Sequence, residues 1–290
     1  MATQTVPSAS TSASLRDDRV LPLTRIVALG VILILLLAVV VLYLLPDSTD
    51  QNFAWTVLPR MTAMAMGAGY LMGAYFFLRV LTGSRWHHFA AGYLPITAFT
   101  IGMALATILH LERFHQGQFN AILWEVVYAL TPFLVPFIWY IQQRYEPGTP
   151  EPGDVEVPLR FRQIVGLAGV GALLASILIF LAPQLVMSIW PWTLTPLTAR
   201  VLAGWLLLPA VGGIVLWREA RWSGWRVLVE TVTVASVFML LAVLISWNDW
   251  QASNPLTWLL VLAMLGALVG MPALYFYMQS RRPRLDAAQS

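Results

Sequence analysis

The sequence predicts an all-α integral membrane protein whose eight transmembrane helices form two tandem parallel four-helix repeats. Three observations lead to this prediction. First, 59% of the 290 residues are hydrophobic and 11% are charged, whereas soluble domains carry about 25% charged residues. Second, the chain contains eight apolar runs near the roughly 20 residues that a helix needs to cross a bilayer. Third, two residue patterns recur at a nearly constant offset.

The apolar runs predict spans at residues 24–45, 59–81, 88–111, 119–142, 161–187, 196–217, 224–247 and 256–279. Residues 1–23 are rich in Ser, Thr and Ala and predict a disordered cytoplasmic tail. Residues 145–160 are rich in proline and acids and predict an aqueous cytoplasmic linker. This linker separates a first repeat, residues 24–144, from a second, residues 161–281, and residues 282–290 form a second cytoplasmic tail.

The arginines predict the orientation, because positively charged loops remain in the cytoplasm. With the N-terminus inside, 14 of the 17 arginines fall on the inner side, and Arg60, Arg113 and Arg200 fall outside. We therefore expect a multi-pass protein of a bacterial inner (plasma) membrane with both termini in the cytoplasm. The arginines are scattered among short loops, so we expect the lipid bilayer and no nucleic acid as a partner.

Residue types that carry chemistry are scarce. The chain has no cysteine, which excludes disulfides, thiolate metal sites and thiol catalysis. It has no phosphate-binding loop and no serine nucleophile motif. We expect no enzyme and no catalytic, cofactor-binding or metal-binding residues.

The most specific signal is a motif at the outer end of the first span in each half. The motif consists of Leu-x-Pro, eight further residues and Trp-Thr-x-x-Pro, and it occurs twice at an offset of 137. Its recurring residues include Pro46, Trp55, Thr56 and Pro59 in the first half and Pro183, Trp192, Thr193 and Pro196 in the second. A structural role is favoured, because proline suits a first helical turn and tryptophan the membrane interface. The alternative is a doubled outer gate or ligand lip.

A second pattern closes each half. Pro136, Tyr140 and Gln143 match Pro272, Phe276 and Gln279 at an offset of 136. Each half therefore contains four spans, and an even number of crossings predicts a parallel rather than an inverted repeat.

The segment Trp190-Pro-Trp-Thr-Leu-Thr-Pro-Leu-Thr-Ala-Arg200 resembles segments of uncharacterised bacterial multipass membrane proteins with a duplicated four-helix unit. The resemblance covers one loop and one helix start, and it implies no activity.

Ionisable residues inside spans are costly and are candidate functional residues. The sequence marks Glu125 and Glu230, together with Arg60 and Arg200 at outer helix starts, as a candidate intramembrane polar site. We expect Glu125 to pair with Arg60 or Arg200. We expect Glu230 to pair with one of three inner arginines, namely Arg218, Arg221 and Arg226. A structural ion pair is favoured over proton or substrate handling.

The four histidines form two separated pairs. His87 and His88 lie at the inner start of the third span, and His110 and His115 lie near its outer end, more than about 30 Å away. They cannot form one cluster, and no other span supplies a facing histidine for haem. We do not expect a metal at His110, Glu112 and His115, because a spacing of five fits one helical face poorly.

Two functions remain open. Two parallel halves could enclose a path, which favours a small-solute transporter or channel lined by the polar site. The alternative is a non-catalytic membrane subunit or scaffold that binds another membrane protein or forms a homo-oligomer. The small number of polar residues within the spans counts against transport, and the repeat favours transport.

Overall fold

The computed structural model describes residues 17–282, and residues 1–16 and 283–290, where most of the two tails were predicted, lie outside this range. Within it, eight helices are long and apolar enough to cross a membrane: α1 Pro22–Leu44, α2 Arg60–Thr82, α3 Ala90–Ile108, α4 Phe119–Gln143, α5 Leu159–Leu181, α6 Pro196–Arg218, α7 Trp222–Ile245 and α8 Pro255–Ser280. The prediction of an all-α protein with eight spans is confirmed.

The largest boundary error concerns the fifth span, which was predicted to reach residue 187. The helix ends at Leu181, and a separate short helix, Pro183–Met187, follows it. Pro183 has no backbone N–H, and its ring obstructs the carbonyl of the preceding turn, so it begins a new helix instead of continuing α5.

The helices pack in a pattern with twofold character. Sequential pairs contact each other, α1 with α2, α3 with α4, α5 with α6 and α7 with α8. Between the halves, α2 packs against α7 and α3 against α6. Exchanging α1–α4 for α5–α8 reproduces each of these contacts. The centre of the bundle therefore consists of α2, α3, α6 and α7.

Each half contains an equivalent backbone hydrogen bond. It joins the segment before the first helix of the half to a residue at or just before the start of the third helix. The Trp86 N–H donates to the Asp18 carbonyl at 2.8 Å, and the Trp222 N–H donates to the Val155 carbonyl at 2.9 Å. These residues are 136 or 137 positions apart. Trp86 and Trp222 are both fully buried, so each indole anchors one end of its half. We call this end of the bundle, where the described chain begins, the inner end, and the opposite end the outer end.

The outer ends are equivalent too. The His115 N–H donates to the Ala54 carbonyl at 2.9 Å, and the Gln251 N–H donates to the Pro191 carbonyl at 2.8 Å. A short 3-10 turn precedes the donor in both halves, Leu111–Arg113 in the first and Trp247–Asp249 in the second.

The end of the predicted tail and the predicted linker pack onto the bundle. The Asp18 N–H donates to the Tyr145 carbonyl at 2.9 Å, so the end of the predicted tail contacts the start of the predicted linker. Val20 and Val157, which are 137 positions apart, are 4% and 0% exposed. Burial of these valines and the paired backbone groups explain why polar, proline-rich segments are ordered here. We call residues 17–21 and 145–158 the inner straps.

Candidate functional site

The four residues of the predicted polar site do not meet. Arg60 forms an ion pair with Asp47, and the two side chains are 42% and 65% exposed. Glu125 accepts a hydrogen bond from Gln116 at 3.3 Å and forms no ion pair in the described part of the chain. The predicted pairing of Glu125 with Arg60 or Arg200 is therefore wrong, because Arg60 has a nearer partner on its own outer loop.

Arg200 instead bonds to neutral groups at the outer end. Its Nη1 donates to His110 Nε2 at 2.7 Å, and its Nε donates to the Phe180 carbonyl at 3.1 Å. His110 Nε2 therefore acts as an acceptor. Burial and the positive charge of Arg200 lower the pKa of His110, which keeps its imidazole neutral.

Glu230 has a partner on a distant helix. Arg79 of α2 forms an ion pair with Glu230 of α7, and the Tyr75 hydroxyl donates to the same carboxylate at 3.0 Å. The predicted pairing of Glu230 with Arg218, Arg221 or Arg226 is wrong. The packing of α2 on α7 decides the partner, and no sequence spacing reports that packing.

The repeated Trp-Thr-x-x-Pro motif contributes buried aromatic contacts at the outer end. Trp55 lies 5.2 Å from the Phe114 ring, and Trp192 lies 4.7 Å from the Trp250 ring, measured between centroids. The Trp192 Nε1 also donates to the Thr62 hydroxyl at 2.9 Å. These contacts support the structural interpretation of the motif.

The densest group of ionisable side chains lies at the opposite end, between the inner straps and the loop from α2 to α3. We call it the inner-face cluster, and it consists of Asp18, His87, His88, Glu151 and Arg282. His87 Nδ1 lies 2.5 Å from Asp18 Oδ2, and Asp18 Oδ1 accepts a hydrogen bond from the backbone N–H of His87 at 3.1 Å. A carboxylate can only accept at Nδ1, so that nitrogen carries a proton.

Glu151 joins the remaining members of the inner-face cluster. Its Oε2 lies 3.1 Å from His88 Nε2 and 3.8 Å from His87 Nε2. Its Oε1 accepts from Arg282 at 2.5 Å. Burial raises the pKa of Glu151, but the hydrogen bonds from His88 and Arg282 outweigh that effect, so the pKa is lowered and the carboxylate is ionised.

Both imidazoles of the cluster are largely buried. Burial and the neighbouring His87 lower the pKa of His88 to about 4. The His87 side chain is 1% exposed, and among the described residues its Nε2 has no hydrogen-bond partner. A buried imidazole nitrogen without a partner is uncommon, because leaving a polar group unpaired costs about 1–3 kcal/mol.

No family model, curated protein or solved structure matches the chain. The internal repeat, however, supplies a comparison within the molecule. At the position 136 residues after His87 lies Ser223, whose hydroxyl donates to Asp154 at 2.6 Å while its N–H donates to the same carboxylate at 3.1 Å. In each half, an aspartate of the inner strap thus accepts from the residue at this position, and the first half alone has an imidazole there.

Sequence reasoning missed the inner-face cluster. The adjacent histidines and the acidic linker are both evident in the sequence, but no sequence pattern connects one with the other. Asp18 is 69 positions from His87, and Glu151 is 63 positions from His88. The inner straps, expected to be aqueous, bring these carboxylates to the histidines.

Proposed function

We propose that the chain is a non-catalytic membrane subunit or scaffold that binds a protein partner through its inner face. The observation that carries this proposal is the closed packing between the two halves. In a parallel repeat, a solute pathway would run along the axis between α2, α3, α6 and α7, and this region is filled by side chains.

Small residues close the axis at the level of Gly204 and Trp205 of α6. A Cβ atom added at Gly69 of α2 would lie 2.5 Å from the Trp205 ring of α6, and one at Gly102 of α3 would lie 3.2 Å from the Cα of Gly204. The Trp205 ring lies 4.5 Å from Phe99 and 5.0 Å from Tyr70, measured between centroids. Backbones that approach so closely leave no room for a hydrated solute.

A small crevice lies at the periphery of the bundle. It has a volume of about 70 Å³ and is lined by residues that include Leu35 of α1, together with Trp124 and Tyr128 of α4. Small-molecule sites typically occupy about 300–1,000 Å³. This crevice is too small for a typical solute. A second depression of about 520 Å³ is open to the surface and is lined only by Leu130, Phe133, Leu134 and Phe137 of α4. Neither lies between the halves.

The polar groups gather at the inner face, which is where a partner would find specific contacts. The inner straps are ordered there, and they present charged side chains between buried anchors. From the arginine distribution we propose that this face lies in the cytoplasm of a bacterium and that the helices span its inner membrane.

Transport remains the second candidate, and one observation favours it. The Arg79–Glu230 ion pair crosses the contact between α2 and α7, where opening of the halves would have to break it. Ionisable pairs within a bundle often mark ion pathways.

Native mass spectrometry of the full chain, purified gently from its own host, tests the proposal. We expect a stoichiometric protein partner that is lost from Arg160→Glu, at an exposed inner position, and retained by Arg113→Glu, at an exposed outer position. A lone chain that carries a small bound molecule would contradict the proposal and support transport. A partner that both variants retain would contradict binding at the inner face.

A further inference from the structure

We propose that the inner-face cluster binds one Zn²⁺ or a similar divalent transition-metal ion, through His87 Nε2, His88 Nε2 and Glu151 Oε2. The inference does not depend on the proposed function, since a transporter or a scaffold could carry such a site. It replaces the sequence-based expectation that the chain has no metal-binding residues.

The three ligand atoms already lie at nearly the required spacing. They lie within 4.8 Å of one another, and Glu151 Oε2 is 3.1 Å from one imidazole nitrogen and 3.8 Å from the other. Zinc bonds of about 2.0–2.2 Å hold neighbouring tetrahedral ligand atoms roughly 3.3–3.6 Å apart. Metal binding would need a shift of a few tenths of an ångström at Glu151 and a movement of up to about 1.5 Å between the two imidazoles. It would also need the proton that His88 shares with Glu151 to move from Nε2 to Nδ1.

The orientation of His87 is the strongest argument for a metal ion. Its Nδ1–H donates to Asp18, its ring is buried, and its Nε2, which has no hydrogen-bond partner among the described residues, lies 3.8 Å from Glu151 Oε2. A metal ion between these two atoms would give the buried nitrogen a partner and would balance the charge of the carboxylate. Carboxylate–histidine–metal arrangements of this kind fix the ring and increase the basicity of the ligating nitrogen.

Glu151 already contacts two arginines, Arg282 and Arg85, and a metal ion at Oε2 would have to displace the second. Arg282 bonds to Oε1 of Glu151 at 2.5 Å, so Oε2 stays available and Arg282 orients the carboxylate. Arg85 lies 3.5 Å from Oε2, and its side chain is 49% exposed, so it can turn into water when a metal ion binds. Three protein ligands would leave a fourth position for water or a partner's side chain.

The ligand types select the class of metal. Two imidazoles and one carboxylate suit Zn²⁺, Co²⁺ and Ni²⁺, whereas Mg²⁺ and Ca²⁺ prefer oxygen ligands alone. Bound metal would tie the linker strap, through Glu151, to the α2–α3 loop of the first half. The site would therefore control how firmly the linker docks on the inner face.

Metal titration of the detergent-purified full chain, stripped with chelator and carrying an affinity tag without histidines, tests the proposal. We expect Zn²⁺ to bind with a stoichiometry of one by calorimetry, and Co²⁺ to give the visible absorption of a four-coordinate site. His88→Ala and Glu151→Gln should each weaken Zn²⁺ binding at least tenfold. Asp18→Asn changes the group that bonds to Nδ1 of His87 and leaves the three ligands in place. This variant should weaken Zn²⁺ binding by about 10–100-fold.

His115→Ala is the matched control, because His115 lies at the outer end and bonds to the Phe53 carbonyl and Thr56. This variant should bind Zn²⁺ as the wild type does. Size-exclusion profiles and helical circular dichroism show whether each variant is folded. Absence of stoichiometric Zn²⁺ and Co²⁺ binding by the wild type would overturn the proposal. Unchanged affinity in folded His88→Ala and Glu151→Gln would overturn it as well.

Discussion

Arg79 on α2 forms an ion pair with Glu230 on α7, although the two residues are 151 positions apart. The Tyr75 hydroxyl accepts from the same guanidinium at 3.1 Å and donates to the carboxylate at 3.0 Å. The carboxylate side chain is 15% exposed and the arginine 31%. This ion pair joins α2 to α7, and so links the two halves inside the bundle.

Glu230→Gln should therefore lower the free energy of unfolding by about 1–3 kcal/mol, because it leaves a partly buried guanidinium without its counter-charge. Unfolding titrations in mixed micelles measure the change. The double variant Arg79→Gln with Glu230→Gln should lose less than the sum of the single variants. Strict additivity would show that the two side chains do not interact. Glu112→Gln, at a carboxylate that is 67% exposed, is the control and should change little.

The contact of Gly69 on α2 with the Trp205 side chain of α6 predicts a steric effect. Gly69→Ala places a methyl group 2.5 Å from the Trp205 ring, whereas Gly266 of α8 has no atom within 4 Å of an added Cβ. We expect Gly69→Ala to destabilise the protein by about 1–3 kcal/mol through overpacking. Gly266→Ala should be neutral or slightly stabilising, because alanine has the higher helix propensity. Equal thermal unfolding midpoints for the two variants would contradict the packing described for the axis.

The repeat predicts matched effects at its two inner anchors. Trp86→Ala and Trp222→Ala each remove a fully buried indole and should cost about 3–5 kcal/mol. Trp86 also donates to Gln143 at 3.3 Å, so its loss should be at least as costly. Trp258→Ala, at a side chain that is 49% exposed, should cost much less. A large effect at one anchor and none at the other, measured by the same unfolding titration, would argue against equivalent halves.

His110 predicts a pH dependence at the outer end. Its pKa is lowered in the folded protein by burial and by Arg200, so the unfolded chain binds the proton more readily than the folded one. Stability from this group is full above the ordinary histidine pKa of about 6.5 and declines as the pH falls below it. Unfolding midpoints between pH 8 and pH 5 should fall less steeply for His110→Asn than for the wild type. Parallel curves would contradict the prediction, and His115→Asn serves as the control.

Local information in the sequence predicts the helices well. An apolar run of about 20 residues determines a span wherever the helix packs, and the described chain contains all eight. The error at residue 187 arose because a continuous apolar run hides the break that Pro183 causes. The repeated motif also predicts real equivalences, since Ala54 and Pro191 next to its tryptophans accept matching hydrogen bonds.

The partners of charged residues could not be predicted in the same way. Arg226, four residues earlier on the same helix, was one of three arginines expected to pair with Glu230, yet the contact of α2 with α7 supplies Arg79 instead. The inner-face cluster depends on two straps that fold back over distances of more than 60 residues. Proline-rich composition predicted that these segments are aqueous, and it could not report the buried Val20 and Val157 that hold them.

Cysteine accessibility tests the closed axis most directly, because the chain has no cysteine of its own. Met103→Cys and Leu207→Cys probe the α3–α6 contact, where Met103 touches Gly204 and Leu207 touches Gly102. Asp50→Cys and Arg160→Cys, at exposed outer and inner positions, are the controls. A small, charged, membrane-impermeant thiol reagent is applied to right-side-out and inverted vesicles.

The closed axis predicts that Asp50→Cys reacts only in right-side-out vesicles and Arg160→Cys only in inverted ones. Met103→Cys and Leu207→Cys should react in neither. Rapid labelling of Met103→Cys or Leu207→Cys from either side would show that water reaches the contact between the halves, and it would contradict the closed axis on which the subunit proposal depends.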